Sequence, residues 1–416
     1  MTGLVLDITR TIMRAAHASP TGIDRVERAY FEWALSKHDR EVAFICRLRG
    51  WQAVIDRKIA QKVFEETTFR PRGTKEEEEH RRERRIRRLQ SQLKTLLRAN
   101  YVFRSATKGW FALRRAGIDP KDAIYVNVSH NNVDDWALTL IRRMGMKKIV
   151  VLLHDVIPVD FPEFVNKAGE ARFAERLRAI SKNADGLIFN SHFTEQAAMR
   201  WVDKFTRLQP KTQVAYLGIN EIWDADYVGK PLSDTPYFVM LGTIEPRKNH
   251  LLILNVWRRL ADEMENPPHL RVIGWRGWEN ENIIDFLDRS PLMGNCVFEH
   301  PSDSDEQVRA WVKGARALLY PSFVEGYGIP VVEALAAGTP VICSELSVLR
   351  EVGGKVPEFI DPLDGPQWLQ MIKAYAEPGS MERAGQIERM QGYEVPHWVD
   401  HFALVDDFLS DLEDGT

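Results

Sequence analysis

The sequence predicts two α/β domains, each built on a largely parallel sheet. Short apolar, β-branched segments alternate with longer segments of helical period, which is the order expected for doubly wound sheets. The alternation stops at residues 228–236, which contain Pro, Gly and Ser, and then starts again. A chain of 416 residues is also too long for one ordinary hydrophobic core. We therefore expect two domains whose strand C-termini face each other across a cleft.

Both halves supply the strands and helices that this architecture needs. Several strand-like segments are apolar throughout, as expected for strands buried on both faces of a parallel sheet. The predicted strands are residues 4–8, 42–48, 123–129, 148–154, 186–191, 213–218, 237–241, 270–274, 295–299, 316–320 and 339–343. The predicted amphipathic helices include residues 21–35, 249–263, 305–314, 330–337 and 398–412.

These segments predict the domain boundaries. We expect an N-terminal Rossmann-like domain over residues 1–228 and a second such domain over residues 229–393. The last amphipathic helix, within residues 394–416, has no strand after it. We expect this helix to pack back on the N-terminal domain.

The composition argues against several classes of protein. A net charge of −3 and a pI near 6.4 give no overall attraction for nucleic acid. Cys46, Cys296 and Cys343 are scattered and odd in number, which disfavours disulfides and zinc sites. No segment approaches the ~20 apolar residues of a membrane-spanning helix, and the first residues lack the apolar core of a signal peptide. We expect a cytoplasmic protein that does not cross a membrane.

One segment departs from this pattern. Residues 75–98, within an insertion at about 75–100, combine a narrow apolar stripe with a dense Arg and Lys surface. They fit a solvated helix on the N-terminal domain, a coiled-coil contact, or a peripheral membrane contact in which residues 81–98 bind anionic headgroups. The sequence leaves these three alternatives open.

Residues 316–343 carry the most specific chemical signal. A predicted strand ends at Tyr320, and a glycine-containing loop joins it to a helix that begins near Pro330. Gly326 and Gly328 let the backbone approach a ligand without a Cβ in the way. The N–H groups at such a helix start favour an anion, and a diphosphate suits them.

Two carboxylates accompany this loop and helix. Glu325 lies in the loop, and Glu333 lies in the first turn of the helix. Each can accept hydrogen bonds from vicinal hydroxyls, one pair on a sugar and one pair on a ribose. Favourable charge at a helix N-terminus also explains Glu333 taken alone, but it does not explain the glycine-flanked Glu325.

A second candidate site follows the strand at residues 237–241. Gly242 ends that strand, and Arg247 and Lys248 precede a helix that Asn249 is expected to cap. An Arg–Lys pair taken alone is usually surface charge. Two cations at a strand C-terminus in the cleft, however, are well placed to neutralise a leaving diphosphate.

Residues 237–343 contain no Asp-x-Asp pair that is assigned to a metal ion. The Asp-Ser-Asp sequence at residues 303–305 is assigned to the start of the predicted helix 305–314, where Asp and Ser are common capping residues. This segment therefore offers no local signature of a metal site. Trp275 and Trp278 fit three roles: stacking on a base, lining a lid, or packing in the core.

Together these residues resemble a known family. Glu325 and Glu333, with seven residues between them, are similar to the EX7E signature of the retaining glycosyltransferases of family four. The resemblance implies the GT-B fold, in which two Rossmann-like domains face each other across a cleft. Residues 241–250 (LGTIEPRKNH) resemble the donor-phosphate motif of that family. The first half resembles its bacterial surface-polysaccharide mannosyltransferases at residues 152–158, 187–194 and 214–220.

The resemblance implies a role for each site residue. Arg247 and Lys248 would bind the donor diphosphate, Glu333 would hold the ribose, and Glu325 would hold the sugar hydroxyls. Backbone N–H groups of residues 326–329 would face the sugar and phosphate. The implied catalytic residues are Glu325, His154, Lys248 and Arg247. The implied donor-binding residues are Gly242, Arg247, Lys248, Glu325, Gly326, Tyr327, Gly328, Ile329 and Glu333.

On the N-terminal domain, the resemblance implies that His154 contacts the transferred sugar. Gly22, His130 and Asp155 are candidates on the acceptor side, and Asp155 could alternatively orient the His154 ring. Gly22 stands where the family has a glycine-rich loop, but the paired glycines of that loop are missing. Such enzymes use no metal, so the resemblance implies neither a metal nor a cofactor. In these enzymes the departing phosphate takes the proton of the acceptor.

The implied reaction moves a sugar from a nucleotide-diphosphate sugar, with GDP-mannose as the first candidate. The acceptor would be a saccharide or lipid-linked saccharide in bacterial polysaccharide or lipopolysaccharide synthesis. Two other functions are open. A nucleotide-sugar epimerase of the same fold would need acid–base residues grouped in the cleft. A non-catalytic nucleotide- or carbohydrate-binding subunit would not need the cations Arg247 and Lys248 beside both glutamates.

Overall fold

The chain forms two parallel-sheet α/β units, as predicted. The computed structural model describes residues 2–15, 20–48, 51–67, 84, 102–165, 167–206, 209–220, 223, 233, 235–301 and 303–414. Apart from Arg84, the basic segment at residues 75–98 lies outside these described residues, and so does most of the expected linker at 228–236.

The N-terminal unit is built on an eight-stranded sheet. Its strands, β1 to β8 in chain order, are Gly3–Asp7, Val42–Leu48, Trp51–Asp56, Val102–Phe103, Ala123–Asn127, Lys148–Leu153, Gly186–Phe189 and Lys211–Val214. They lie in the order β4-β3-β2-β1-β5-β6-β7-β8. Only the pairings β2–β3 and β3–β4 are antiparallel among these strands. The strands β1, β2, β5, β6, β7 and β8 are therefore parallel to one another, and their C-terminal ends lie at the same edge of the sheet.

The C-terminal unit is built on a six-stranded parallel sheet. Its strands, β9 to β14, are Tyr237–Leu241, His269–Ile273, Val297–His300, Leu318–Tyr320, Val341–Ser344 and Glu358–Ile360. They lie in the order β11-β10-β9-β12-β13-β14. The order reverses between β9 and β12, so the loops that follow these two central strands lie side by side at the ligand-binding edge.

Helices cover both faces of each sheet. The described helices, α1 to α16, are Thr9–Arg14, Gly22–Ser36, Arg57–Thr67, Ala106–Arg115, Asp135–Arg143, Ile157–Asp160, Lys167–Asn183, His192–Phe205, His250–Glu263, Glu281–Arg289, Asp305–Gly314, Ile329–Ala336, Ser347–Gly353, Gly365–Ala376, Met381–Met390 and Trp398–Asp414. Adjacent β1 residues point into different cores, with Leu4 packed on one side of the sheet and Val5 on the other. This two-sided burial explains why the strands are apolar throughout.

The structure corrects the predicted strands at four places. One is the strand Val102–Phe103 at the edge of the sheet, whose two residues are too few to produce a recognisable pattern. The segment predicted at 213–218 forms a strand only at Lys211–Val214, because Ala215 and Leu217 turn into the core under the C-terminal helix. The antiparallel strand Trp51–Asp56 was not predicted, since it follows β2 without an intervening helix. The edge strand Glu358–Ile360 is only three residues long, which is too short to produce a recognisable pattern.

The C-terminal helix α16 packs on the N-terminal unit. The His401 ring is buried and makes two hydrogen bonds. Its Nε2 lies 2.8 Å from the Tyr30 hydroxyl of α2, and its Nδ1 lies 3.0 Å from the Tyr216 carbonyl. The Phe402 ring stacks on Trp33 with a centroid separation of 5.2 Å. The end of the chain therefore returns to the domain in which it starts. None of the helices in the described ranges has the length and apolar character that crossing a membrane requires.

The contact between α16 and the N-terminal unit can be tested at Gly218. A methyl group there would lie 2.2 Å from the backbone nitrogen of Trp398, so Gly218→Ala should displace the start of α16. We expect a loss of about 1–3 kcal/mol, as for overpacked cores, measured as a melting temperature lowered by several degrees. Gly392→Ala is the control, because no atom lies within 4 Å of its added methyl. Equal melting temperatures for the two variants would contradict the packing.

Candidate active site

Two loops of the C-terminal unit bring four charged side chains together. One loop follows β9 and contains Glu245, Arg247 and Lys248, and the other follows β12 and contains Glu325. The Glu325 carboxylate accepts from Arg247 Nη1 at 2.8 Å and from Lys248 Nζ at 2.6 Å. Arg247 Nε also lies 2.6 Å from Glu245. Because Glu325 and Lys248 are both more than nine-tenths buried, this is an ion cluster shielded from water.

Local backbone structure fixes this ion cluster. A 3-10 turn at Pro246–Lys248 aims both cations toward the β12 loop, where the Phe323 N–H donates to the Arg247 carbonyl at 2.8 Å. Asn249 has a left-handed φ of 55° and does not cap α9 with its side chain, contrary to the prediction. Its amide instead donates to the carbonyls of Pro321 at 3.2 Å and Pro362 at 2.8 Å. Asn249 therefore precedes α9, and its side chain ties two loops together instead of capping the start of that helix.

The charges in the cluster depend on one another. Burial by itself raises the pKa of Glu325, but Arg247 and Lys248 outweigh it and hold this pKa at about 2. Burial lowers the pKa of Lys248, and Glu325 opposes that effect. Lys248 Nζ also donates to the Tyr320 hydroxyl at 2.6 Å. Glu325 is thus held as a carboxylate, suited to accepting hydrogen bonds rather than to giving up a proton.

The loop after Glu325 leads into α12 through two glycines that have steric reasons to be glycine. Gly328 has a φ of 101°, and a Cβ there would meet Leu349 at 2.6 Å. A Cβ on Gly326 would lie 2.4 Å from the carbonyl oxygen of His154, which belongs to the other unit. Helix α12 begins at Ile329, so the N–H groups of its first turn face the loop and the cleft. Tyr327 turns its side chain away and donates to the Leu217 carbonyl at 3.0 Å.

Gly242 lies beneath the cation of Lys248. Its φ of 143° lies outside the range that residues with side chains usually adopt. A Cβ at this position would lie 3.6 Å from the Lys248 side chain. Gly242 therefore contributes by backbone shape, which lets the chain turn immediately after β9.

Glu333 lies in α12 and is 3% exposed. Its Oε1 is 2.5 Å from Nη1 of Arg25, a residue of α2 in the N-terminal unit. Burial raises the pKa of Glu333 to about 7, and Arg25 opposes this rise. Glu333 is therefore not simply favourable charge at an exposed helix start. It is not part of the ion cluster around Glu325, which lies in the preceding loop, but forms a separate ion pair with Arg25.

His154 and His130 face the cleft from the N-terminal unit. The His154 Nε2 lies 2.7 Å from the Val128 carbonyl, so that nitrogen carries the proton and Nδ1 is the acceptor. Burial lowers the pKa of His154 to about 4, and burial and then His154 lower the pKa of His130. Both rings are therefore neutral near pH 7. His130 has a left-handed φ of 58°, which is uncommon for a residue with a side chain and is often found at functional sites.

Asp155 lies beside Gly326 and is influenced by the donor-side charges. Burial raises the pKa of Asp155, and Arg247 opposes that rise. Its Oδ1 accepts the Ile157 N–H at 3.0 Å. The Val128 carbonyl, rather than Asp155, orients the His154 ring, so the alternative role suggested for Asp155 is wrong.

Gly22 begins α2 and meets the start of α12. A Cβ on Gly22 would lie 3.2 Å from the Ile329 side chain. Thr21 and Asp24 form a capping box at this helix start, and Arg10 and Arg14 hold the Asp24 carboxylate at 2.5 and 2.7 Å. The single glycine therefore provides close contact between two helix N-termini without the paired glycines of the family.

Direct hydrogen bonds hold the two units together around the cleft. The hydroxyls of Ser191 and Thr194 donate to the Gly326 carbonyl at 3.0 and 2.9 Å. The Glu351 carboxylate of α13 accepts the N–H groups of His192 and Phe193 at the start of α8, at 2.6 and 3.0 Å. These contacts describe a closed arrangement in which the loop after β12 lies against the strand ends of the N-terminal unit.

Other predicted residues lie near the cleft or outside it. Ser304 and Gln307 form a capping box for α11, so the assignment of Asp-Ser-Asp at 303–305 to a helix start is confirmed. Within the described ranges, no group of three or more His, Cys, Asp or Glu side chains is arranged to hold a metal ion. Trp275 and Trp278 are both exposed, which excludes core packing. Trp278 Nε1 donates across the cleft to the Phe164 carbonyl at 3.3 Å.

Sequence reasoning missed several residues that shape the site. Arg25, Glu245, Ser191 and Thr194 all contact predicted site residues. Glu245 could have been noticed from its place two residues before Arg247. The partners of the other three come from distant parts of the chain, and no local pattern marks such contacts.

The geometry agrees with comparisons to known proteins. Residues 226–355 match the family model described as Glycosyl transferases group 1. This range contains Arg247, Lys248, Glu325 and Glu333. The chain resembles the group 1 glycosyltransferases.

Among curated group 1 relatives, the chain is similar to the serotype-specific mannosyltransferase WbdA of Escherichia coli. The two are 26% identical over 251 residues, which cover 55% of this chain and 31% of WbdA. It is also 26% identical over 255 residues to the O-antigen chain mannosyltransferase RfbU of Salmonella typhimurium, covering 57% of this chain and 67% of RfbU. The chain therefore spans about a third of the length of WbdA.

The similarity to solved structures covers the whole chain. Sucrose-phosphate synthase from Thermosynechococcus elongatus superimposes over 100% of both chains with a TM-score of 0.66 and 15% identity. At that identity the likeness concerns the fold alone. It confirms the predicted GT-B fold.

The close approach at Gly326 provides a test of the closed arrangement. Gly326→Ala should place a methyl group against the His154 carbonyl and prevent the two units from closing fully. We expect a larger radius of gyration in small-angle scattering and a lower melting temperature. Gly385→Ala, where the nearest atom is 3.9 Å away at the end of an arginine side chain, is the control. An unchanged radius of gyration for Gly326→Ala would argue against closure in solution.

Proposed function

We propose that this protein is a retaining, metal-independent glycosyltransferase that uses a nucleotide-diphosphate sugar. The observation that carries the proposal is the buried Glu325 carboxylate held between Arg247 and Lys248, opposite the neutral His154. A fixed carboxylate suits sugar hydroxyls, and adjacent cations suit the diphosphate that leaves. The match of residues 226–355 to the group 1 model supports the same reaction class.

In the proposed reaction, the bond from the anomeric carbon to the donor phosphate breaks. The acceptor oxygen forms its new bond to that carbon on the same face, and the acceptor proton passes to the departing phosphate oxygen. Arg247, Lys248 and the first turn of α12 stabilise the charge that develops on the phosphate. Glu325 orients the sugar through its hydroxyls, and the Nδ1 acceptor of His154 faces the same sugar.

The charge states support this division of roles. Glu325 is strongly ionised and already paired with two cations, so it lacks the proton that a general acid needs. His154 is neutral and its Nε2 proton is bound to a carbonyl. An epimerase needs acid and base groups grouped beside the sugar, and Glu325 and His154 do not provide them. Glu333, whose pKa is raised to about 7, is held in an ion pair with Arg25 instead. The cations beside Glu325 also argue against a subunit that only retains the fold.

The mannosyltransferase relatives support mannose as the sugar and GDP-mannose as the first donor to test. For the acceptor we propose a saccharide or lipid-linked saccharide in bacterial surface-polysaccharide synthesis. It would approach from the side of Gly22, His130 and Asp155. A lipid-linked acceptor would give the basic residues 81–98 a purpose in contacting an anionic membrane surface at its cytoplasmic face.

Donor binding can be tested by thermal stabilisation. We expect one family among GDP, UDP, ADP and dTDP and their sugars, GDP first, to raise the melting temperature with EDTA present throughout. Binding only to the folded state stabilises by about 2.7 kcal/mol at one hundred times the Kd. Stabilisation that appears only in a parallel series with Mg²⁺ or Mn²⁺ in place of EDTA would contradict metal independence. No stabilisation by any nucleotide would contradict the donor site itself.

The ion cluster can be tested by substitution. Lys248→Ala should lower kcat/KM at least 100-fold, because a fixed cation that stabilises a developing anion is typically worth about 10²–10³ in rate. Glu325→Ala should cause a loss of similar size, because it removes the acceptor for the sugar hydroxyls and takes from Arg247 and Lys248 the carboxylate that they share. Glu263→Ala and Lys373→Ala are matched controls, since these two residues form an ion pair on the surface of the same unit. Circular dichroism should show that the variants fold. Near-normal rates in either cluster variant would contradict the assigned roles.

A further inference from the structure

An arginine of the N-terminal unit is paired with a carboxylate in the proposed donor site. Arg25 lies in α2, and its Nη1 is 2.5 Å from Glu333 Oε1 in α12. Its Nη2 lies 3.3 Å from Oδ1 of Asp305, the first residue of α11. The Glu333 side chain is 4% exposed and the Arg25 side chain is 23% exposed. The pair is therefore largely removed from water, and it joins the two units across the cleft.

The fold holds Arg25 in this place. The capping box formed by Thr21 and Asp24 fixes the start of α2, and the guanidinium groups of Arg10 and Arg14 hold the Asp24 carboxylate. The start of α2 then rests against Ile329 at the start of α12. Arg25 lies about one turn after the start of α2, and Glu333 lies about one turn after the start of α12. The contact between the two helix starts thus sets the distance between Arg25 and Glu333.

A carboxylate buried to this degree needs a cation to stay ionised. The groups that face Glu333 are Arg25, the Asp305 carboxylate and the Trp223 indole. Burial and, less strongly, Asp305 raise the pKa of Glu333, Arg25 and Trp223 lower it, and together they leave this pKa at about 7. Removal of Arg25 would therefore raise the pKa of Glu333 further and increase the protonated fraction at neutral pH. A protonated carboxyl accepts fewer hydrogen bonds and cannot accept from both hydroxyls of a ribose in the same way.

We propose that Arg25 is a positioning residue of the donor site, which keeps Glu333 ionised and oriented for the ribose and so links nucleotide binding to closure of the cleft. The proposal rests on the proposed function, because it takes Glu333 as the ribose-binding carboxylate. The link follows from the location of Arg25. It belongs to the opposite unit, so it reaches Glu333 only when the two units are together. A nucleotide that binds more tightly to the closed arrangement therefore shifts the protein toward closure, and closure raises the affinity for that nucleotide to the same extent.

The test measures the Kd of the nucleoside diphosphate that stabilises the protein most, by titration calorimetry at several values between pH 6 and pH 9. The proteins are the unaltered chain, Arg25→Met, Arg25→Lys and Glu333→Gln. Arg28→Met is the matched control, because Arg28 lies in the same helix and covers the Phe64 ring at 4.4 Å. Ionisation of the nucleotide phosphate affects every protein alike, so the differences between variants report on Glu333.

Nucleotide affinity should rise with pH, because binding needs Glu333 in its ionised form. The unaltered protein should lose affinity as the pH falls through about 7, by up to about tenfold per pH unit as Glu333 takes up its proton. Arg25→Met should bind at least tenfold more weakly at pH 7 and recover to within about threefold at pH 9, because its Glu333 ionises only at higher pH. Arg25→Lys should keep most of the affinity. Glu333→Gln should bind weakly at every pH, and Arg28→Met should behave like the unaltered protein.

Three outcomes would overturn the proposal. Affinity of Arg25→Met equal to that of the unaltered protein at every pH would show that Glu333 does not need Arg25. An equal loss at every pH, shared by Arg25→Lys, would assign the pair to domain structure alone. Failure of the unaltered protein to bind any nucleotide would overturn the proposed function as well, whereas the first two outcomes leave the proposed function standing.

Discussion

The buried ion cluster of Glu245, Arg247, Lys248 and Glu325 is the constraint on which the proposed donor side depends. Removing a single ion from water is costly, and breaking a buried pair typically destabilises a protein by about 3–5 kcal/mol. Here two carboxylates and two cations balance each other, and the Tyr320 hydroxyl satisfies a further Lys248 proton. The cluster can therefore exist only if the loops after β9 and β12 are held in register. The parallel pairing of β9 with β12 supplies that register.

Closure of the cleft has a comparable steric condition. The Gly326 carbonyl accepts hydrogen bonds from Ser191 and Thr194, and its Cα lies against the His154 backbone. Only a residue without a Cβ fits there. The same loop thus carries Glu325 on one side and the contact with the N-terminal unit on the other. For this reason the charge state of the cluster, the position of His154 and the approach of the two units are parts of one arrangement.

The two histidines facing the cleft illustrate how the environment changes the chemistry of a residue. His154 and His130 are buried and neutral, so they take part through neutral hydrogen bonds rather than through charge. A histidine in a sequence does not reveal this state. It follows from burial and from the Val128 carbonyl, which fixes the tautomer of His154. The same residue type at an exposed position, such as His192, remains accessible to water.

The sequence by itself determined the two-unit α/β architecture, because strands buried on both faces must be apolar throughout and glycine, proline and capping residues mark where helices begin. It also picked out Arg247, Lys248, Glu325 and Glu333, because their spacing around glycines is a local pattern. Only the tertiary structure decided that Arg25 pairs with Glu333 and that Asn249 ties loops rather than caps a helix. Such contacts join residues up to several hundred positions apart. Local periodicity and spacing carry no record of them, since they arise from how complete elements pack.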